Sequence, residues 1–205
     1  MDARSFPWVC AAVTAACAAC SALPDGGVAL EYDRAGLCAG SIWRLLTGQM
    51  VHWTARMAWI DLSTLLLLGA WVEGRSRRRL VLALALSAAL VGAGVHLLLP
   101  DIERYRGSSG LGSALFVAGA LDLASAGRPR WLRRLALLGL LLLAAKAAAE
   151  YWTGTPLFSG PLPAGVEVVP LVHLLGGLGG GLACVVRSRR PSTADQGTGG
   201  KCGGA

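Results

Sequence analysis

Few residues in this chain could do chemistry, and two stretches hold the best of them. Gly107-Ser108-Ser109-Gly110 sets two hydroxyls between two glycines where a polar loop gives way to an apolar run, and His173 stands just ahead of Leu174-Leu175-Gly176-Gly177-Leu178-Gly179-Gly180-Gly181. A serine hydrogen-bonded to a histidine is the minimum kit for nucleophilic catalysis, because the imidazole takes the hydroxyl proton as the oxygen attacks a carbonyl. A serine at a helix N-terminus also gains unpaired backbone N–H groups able to hold an oxyanion. The same residues are equally compatible with a helix cap at Ser109 and a packed histidine at position 173. The choice turns on whether the elements carrying them meet.

Those elements read as membrane helices. Hydrophobic residues make up 54% of the 205 and charged residues only 15%, and the long apolar runs are greasy on every side rather than striped. A bilayer core about 30 Å thick needs about 20 helical residues. Six segments qualify: 6–23, 57–72, 80–100, 110–126, 135–149 and 165–186, with 57–72, 110–126 and 135–149 short for a full span. Only helices satisfy their backbone inside lipid from such sequences, so the expected fold is an all-α polytopic membrane protein. Residues 1–190 form one membrane domain, and the Gly- and Ser-rich stretch 191–205 reads as a disordered cytoplasmic tail.

Arginines set the orientation. Arg75, Arg77, Arg78 and Arg79 crowd one short loop, Arg128, Arg130, Arg133 and Arg134 another, and Arg187, Arg189 and Arg190 follow the last segment. The positive-inside rule then makes both termini cytoplasmic. Topology accounts for the net charge of +7, so no nucleic-acid partner is called for. The first segment could be a signal peptide, with Arg4 before it, but an uncleaved helix agrees better with a cytoplasmic basic tail. Cysteine spacing matches no metal site, and a Cys20–Cys38 bridge is possible without further support.

Polar groups inside such segments are costly and usually functional. They include Asp61 and Thr64, Ser109 and Ser113, Asp122, Lys146 and Glu150, and His173. If the last helix starts at Gly165, His173 lies about 12 Å below the outer surface, level with a submerged Ser109. Gly176 with Gly180, and Gly177 with Gly181, repeat at four-residue spacing, as do Gly110, Ala114 and Ala118. Small residues so spaced let helix backbones approach, which would make Ser109 and His173 neighbours. Lys146 and Glu150, one turn apart, are expected to pair with each other.

Taken together, these pieces resemble the rhomboid intramembrane serine proteases. Gly107-Ser108-Ser109-Gly110 is similar to their Gly-x-Ser-Gly signature, and His173 with Gly176, Gly177 and Gly180 resembles their sixth-span histidine motif. Trp43-Arg44 looks like their first-loop element, and His52 falls where the motif before span two has its first histidine. The resemblance covers about residues 40–185. It implies a six-helix rhomboid-like bundle, with Ser109 as nucleophile, His173 as base, no cofactor and no metal. Lys146–Glu150 and the Tyr105 context look like the rhombosortase subgroup, which implies cleavage of C-terminal Gly-Gly/hydrophobic-helix anchors on the outer side of a bacterial inner membrane. The implied partners are transmembrane protein substrates and the lipid bilayer. Two positions depart from the family pattern. Met57 and Asp61 stand where a histidine and an asparagine usually support the oxyanion, beside Gly107 and Gly110. Asp61 could donate a hydrogen bond only if protonated. A catalytically inactive relative that binds transmembrane helices is the alternative, and a small transporter is disfavoured because no internal repeat is present.

Overall fold

A computed structural model describes residues 6–25 and 27–186. The tail 191–205, with Cys202, and Arg4, Arg187, Arg189 and Arg190 therefore lie outside the described residues. The chain is mostly helical: α1 (Trp8–Ser21), α2 (Arg34–Cys38), α3 (Arg44–Thr47), α4 (Ala55–Arg75), α5 (Arg77–Leu98), α6 (Ser109–Ala124), α7 (Arg130–Thr153) and α8 (Leu171–Val185). A short antiparallel pair, β1 (Tyr32–Asp33) with β2 (Arg104–Tyr105), joins two loops. Two helices, α4 and α5, are long and apolar enough to cross a bilayer.

Local chemistry sets the helix boundaries. Thr54 caps α4 by accepting from the Met57 N–H at 3.1 Å, and extended Ser76 ends α4 while capping α5 through the Arg79 N–H at 3.2 Å. Helix α7 runs from Pro129 to Gly154, whose positive φ of 63° closes it. It is therefore longer than the apolar core 135–149 indicated, since its charged ends are helical too. Helix α8 is shorter than the expected 165–186. Pro170 disfavours helix in the residue before it, so the helix begins at Leu171 and His173 lies in its first turn.

The long helices alternate in direction. At one end Glu73 accepts from the backbone N–H groups of Val9 (3.3 Å) and Cys10 (2.8 Å), capping α1 from α4. At the same end Asp122, closing α6, gathers Arg75, Arg79 and Arg128 at 2.9, 3.2 and 3.4 Å. These cations offset an acidic residue placed at the unfavourable end of the helix dipole. At the other end Ser21 donates to Met50 O (3.2 Å) and lies 2.8 Å from His52 Nδ1, so α1 is tied in at both ends. Cys20 and Cys38 are free thiols.

The tightest packing is that of α6 and α5 on α8. A Cβ on Gly176 would overlap the Gly110 carbonyl, and one on Gly180 would overlap that of Ala114. Gly179 turns to α5, where a Cβ would fall 2.6 Å from Ser87 N. Gly177, expected at the same interface, meets only the Val117 side chain at 3.2 Å, and Gly181 faces open space. The expected glycine contact is thus carried by Gly176 and Gly180. Gly176→Ala and Gly180→Ala should each destabilise by about 1–3 kcal/mol through overpacking. Gly181→Ala should be neutral or gain up to about 1 kcal/mol in helix propensity. Thermal unfolding of the three variants in detergent checks this, and equal stability of all three would remove the interface.

Candidate active site

The loop ahead of α6 is held from four sides. β2 pairs with β1 in register Tyr32–Tyr105, the Gly107 N–H donates to Gly48 O at 3.2 Å, and buried Arg106 pairs with Glu31 at 2.7 Å. The Arg106 guanidinium also lies 4.5 Å over the Trp53 ring. The fourth hold is Asp61, whose Oδ2 accepts from the Ser108 N–H at 3.0 Å. Gly107 has φ of 136°, a region that side-chain-bearing residues rarely enter, and the Met57 methyl occupies the place of a Cβ. This accounts for the glycine at 107 and gives Met57 its packing place.

Ser108 is fully buried and faces away from the cleft: His52 Nε2 lies 3.1 Å from its hydroxyl and 3.3 Å from Asp61 Oδ2. The Ser108 side chain makes no cap hydrogen bond to the first turn of α6. Ser109 opens the helix half-buried, its side chain against the Tyr105 phenol, which in turn donates to Gly107 O at 2.8 Å. Burial pushes the Tyr105 phenol far up, the Asp61 carboxylate adds to this, and the Ser109 contact works in the opposite direction.

His173 is buried and its ring has three polar contacts. Its Nδ1 lies 3.2 Å from Ser113 Oγ, one turn beyond Ser109, and the Ser113 hydroxyl also reaches Ser109 O at 2.9 Å. Its Nε2 lies 2.8 Å from Lys146 Nζ and 3.0 Å from Glu150 Oε2. Lys146 and Glu150 do pair, at 2.7 Å, but the pair is not self-contained: it closes on the histidine. Glu150 Oε1 further accepts from the Leu157 N–H at 3.0 Å, fixing the segment after α7. Ser109 and His173 stand in the first turns of adjacent helices and line one cavity of about 820 Å³, with Asp61, Ser113, Lys146 and Glu150. No hydrogen bond joins Ser109 to His173 in this arrangement; Ser113 holds that position.

Other sequence-selected residues have supporting places. Arg44 donates to Val28 O and Glu31 O at 3.0 Å each, so it braces the first loop, while Trp43 beside it is half-exposed. Gly110 lies against α8, and its carbonyl accepts from Ser87 Oγ of α5 at 3.2 Å. Asp61 is an acceptor toward the Ser108 N–H, whereas the expected oxyanion donation would need an O–H on the carboxyl. The reach of Lys146 and Glu150 to His173 was missed in the sequence. Its signal was two charges one turn apart in an apolar segment whose helical neighbours offered a single basic heterocycle.

No protein-family model matches the chain, and no curated protein matches it in sequence.

Asp61 carries a prediction of its own. Asp61→Leu strands the buried Ser108 N–H and should cost about 1–3 kcal/mol. Asp61→Asn keeps a carbonyl acceptor and should cost clearly less. Thermal unfolding separates them, and a Leu variant as stable as the parent would show that Asp61 does not hold the loop.

Proposed function

We propose that the protein is a membrane-embedded serine endopeptidase, with Ser109 as nucleophile and His173 as general base. The observation that carries the reading is that Ser109 and His173, from different helices, line one cavity at the start of two helices whose backbones touch. As the Ser109 oxygen bonds to a peptide carbonyl carbon, its proton passes to the imidazole and the carbonyl π electrons move to oxygen. The first-turn N–H groups of α6 offer donors to that oxyanion. Collapse expels the amine, which takes the proton back from His173. Water then repeats the sequence on the acyl-enzyme. The reading requires the Ser109 side chain to leave Tyr105 and take the place beside His173 that Ser113 holds at rest.

The membrane reading has its own support. Along α7, Leu135, Leu137, Leu138, Leu141 and Leu142 are exposed between Trp131 at one end and Tyr151 and Trp152 at the other. Those aromatic ends lie about 30 Å apart at 1.5 Å per residue, the thickness of a hydrocarbon core with aromatic belts. We read all six long helices as spans in a rhomboid-like bundle, with the arginine-gathering end cytoplasmic. Helices α6 and α8, at 16 and 15 residues, are then too short to reach the outer face, so their first turns lie submerged. The substrates are membrane-anchored proteins cut near the outer face of a bacterial inner membrane, and Gly-Gly/hydrophobic-helix anchors are the class the resemblance favours.

One observation favours a second reading, a non-catalytic protein that binds transmembrane helices: the hydroxyl on His173 belongs to Ser113. A fluorophosphonate probe decides between them. Labelling of the detergent-solubilised protein at Ser109, abolished in Ser109→Ala and His173→Ala and retained in Ser108→Ala, is the expected result. Label on Ser113 would move the nucleophile one turn, and no label on the folded parent would favour helix binding.

A further inference from the structure

His173 Nε2 has two partners that cannot both be satisfied by one protonation state. An ammonium only donates and an ionised carboxylate only accepts. Lys146 Nζ, at 2.8 Å, bonds a lone pair on Nε2; Glu150 Oε2, at 3.0 Å, bonds an N–H there. The far side of the ring repeats the choice. If Nδ1 carries the proton, it donates to Ser113 Oγ, whose own proton goes to Ser109 O. If Nδ1 carries the lone pair, it accepts from the Ser113 hydroxyl and is able to take a proton on the α6 side. Only the arrangement with Glu150 on an Nε2–H makes His173 a base toward α6. Glu150 is itself held in place: its side chain is buried, its other oxygen takes the Leu157 N–H, and Lys146 lies 2.8 Å and 2.7 Å from its two oxygens.

We propose that Glu150 is a positioning residue for His173, accepting from Nε2–H so that the lone pair sits on Nδ1, on the side of α6, the helix that Ser109 opens. This rests on the protease reading above and deepens it: the catalytic unit is Ser109–His173–Glu150, with Lys146 as the counter-ion that makes a buried carboxylate tolerable. In the step, the Ser109 proton moves to Nδ1, the Nε2–H stays on the ring, and the imidazolium is stabilised by Glu150. Among the described residues, the charged groups within hydrogen-bond reach of His173 are Lys146 and Glu150, both from α7; α6 presents only the neutral Ser113.

Nitrogen NMR of full-length protein carrying ¹⁵N-histidine in detergent reads the tautomer directly. The chain has three histidines, so His173→Ala assigns the signal. The parent should show Nε2 protonated and Nδ1 bare at His173. Glu150→Gln, which keeps a carbonyl acceptor, should preserve that pattern, and Glu150→Leu should lose it. Fluorophosphonate labelling should fall about 100-fold or more in Glu150→Leu, the usual scale for losing a working acid–base group. The acid limb of the labelling profile should move to lower pH in Glu150→Gln, which removes an anion beside the imidazolium, and to higher pH in Lys146→Met, which removes a cation. An unchanged tautomer in Glu150→Leu overturns the proposal. Should that variant not fold, an unmoved acid limb in Glu150→Gln overturns it instead. A parent that takes no label, yet changes tautomer in Glu150→Leu, refutes the protease reading and upholds the placement of the ring by Glu150.

Discussion

The rest of the structure depends on the backbone contact between α6 and α8. In lipid, apolar side chains gain nothing by leaving one apolar neighbour for another, so helices associate through close packing and a few polar contacts. Gly176 and Gly180 lay the α8 backbone against the carbonyls of Gly110 and Ala114, and Gly179 does the same against Ser87 on α5. Helix α8 is thus wedged between two partners at once. Because α6 and α8 run in the same direction and touch from their first turns, Ser109, Ser113 and His173 come to one level without any loop having to carry them there. A side chain at Gly176 would separate these residues before it disturbed anything else.

Around that contact the buried polar groups divide into two networks with different tasks. Behind α6, Ser21, His52, Asp61 and Ser108 link α1, the segment before α4, α4 itself and the loop that precedes the serine. This network fixes where α6 begins, and it takes Ser108 out of the cleft. In front, Ser113, His173, Lys146 and Glu150 face the cavity and join α6, α8 and α7. Each buried carboxylate among the described residues meets donors: Glu31 the Arg106 guanidinium, Asp61 a backbone N–H, Glu73 two backbone N–H groups and Arg77, Glu150 a lysine and a backbone N–H. Unpaired, any of them would carry a desolvation penalty too large for the fold to tolerate.

The sequence made some of this legible and hid the rest for physical reasons. The helical segments stood out because apolar runs need no partner to be recognised, and the four-residue glycine spacing pointed to α6 and α8. Their ends were harder to see. Charged residues such as Arg130 and Glu150 continue a helix beyond its greasy core, and Pro170 stops one that hydropathy would extend to Gly165. Side-chain partnership was hardest of all. The spacing of Lys146 and Glu150 told that they would pair, yet the closure of the pair on His173 depends on where α7 ends relative to α8, which no local pattern encodes. The same holds for Asp61, whose bond to the Ser108 N–H joins positions 47 residues apart that no local pattern brings together.

The distribution of polarity sets a further constraint on how such a site can operate. On α7 the exposed face is leucine, while Lys146 and Glu150 turn inward to the cavity, so one helix carries an apolar exterior and two charged groups on its inner side. The cavity is bounded by α4 through Ile60, Asp61 and Thr64 and by α7 through Leu142, Leu143 and Lys146, and these two helices meet mainly through α6 and the segment after α7. Glu150 lies where both functions converge. Its one oxygen holds Leu157, in the segment after α7 that lines the cavity, and its other meets His173. A single side chain therefore ties the segment after α7 to the first turn of α8, and the position of that segment and the surroundings of the imidazole are set together rather than through any long-range contact.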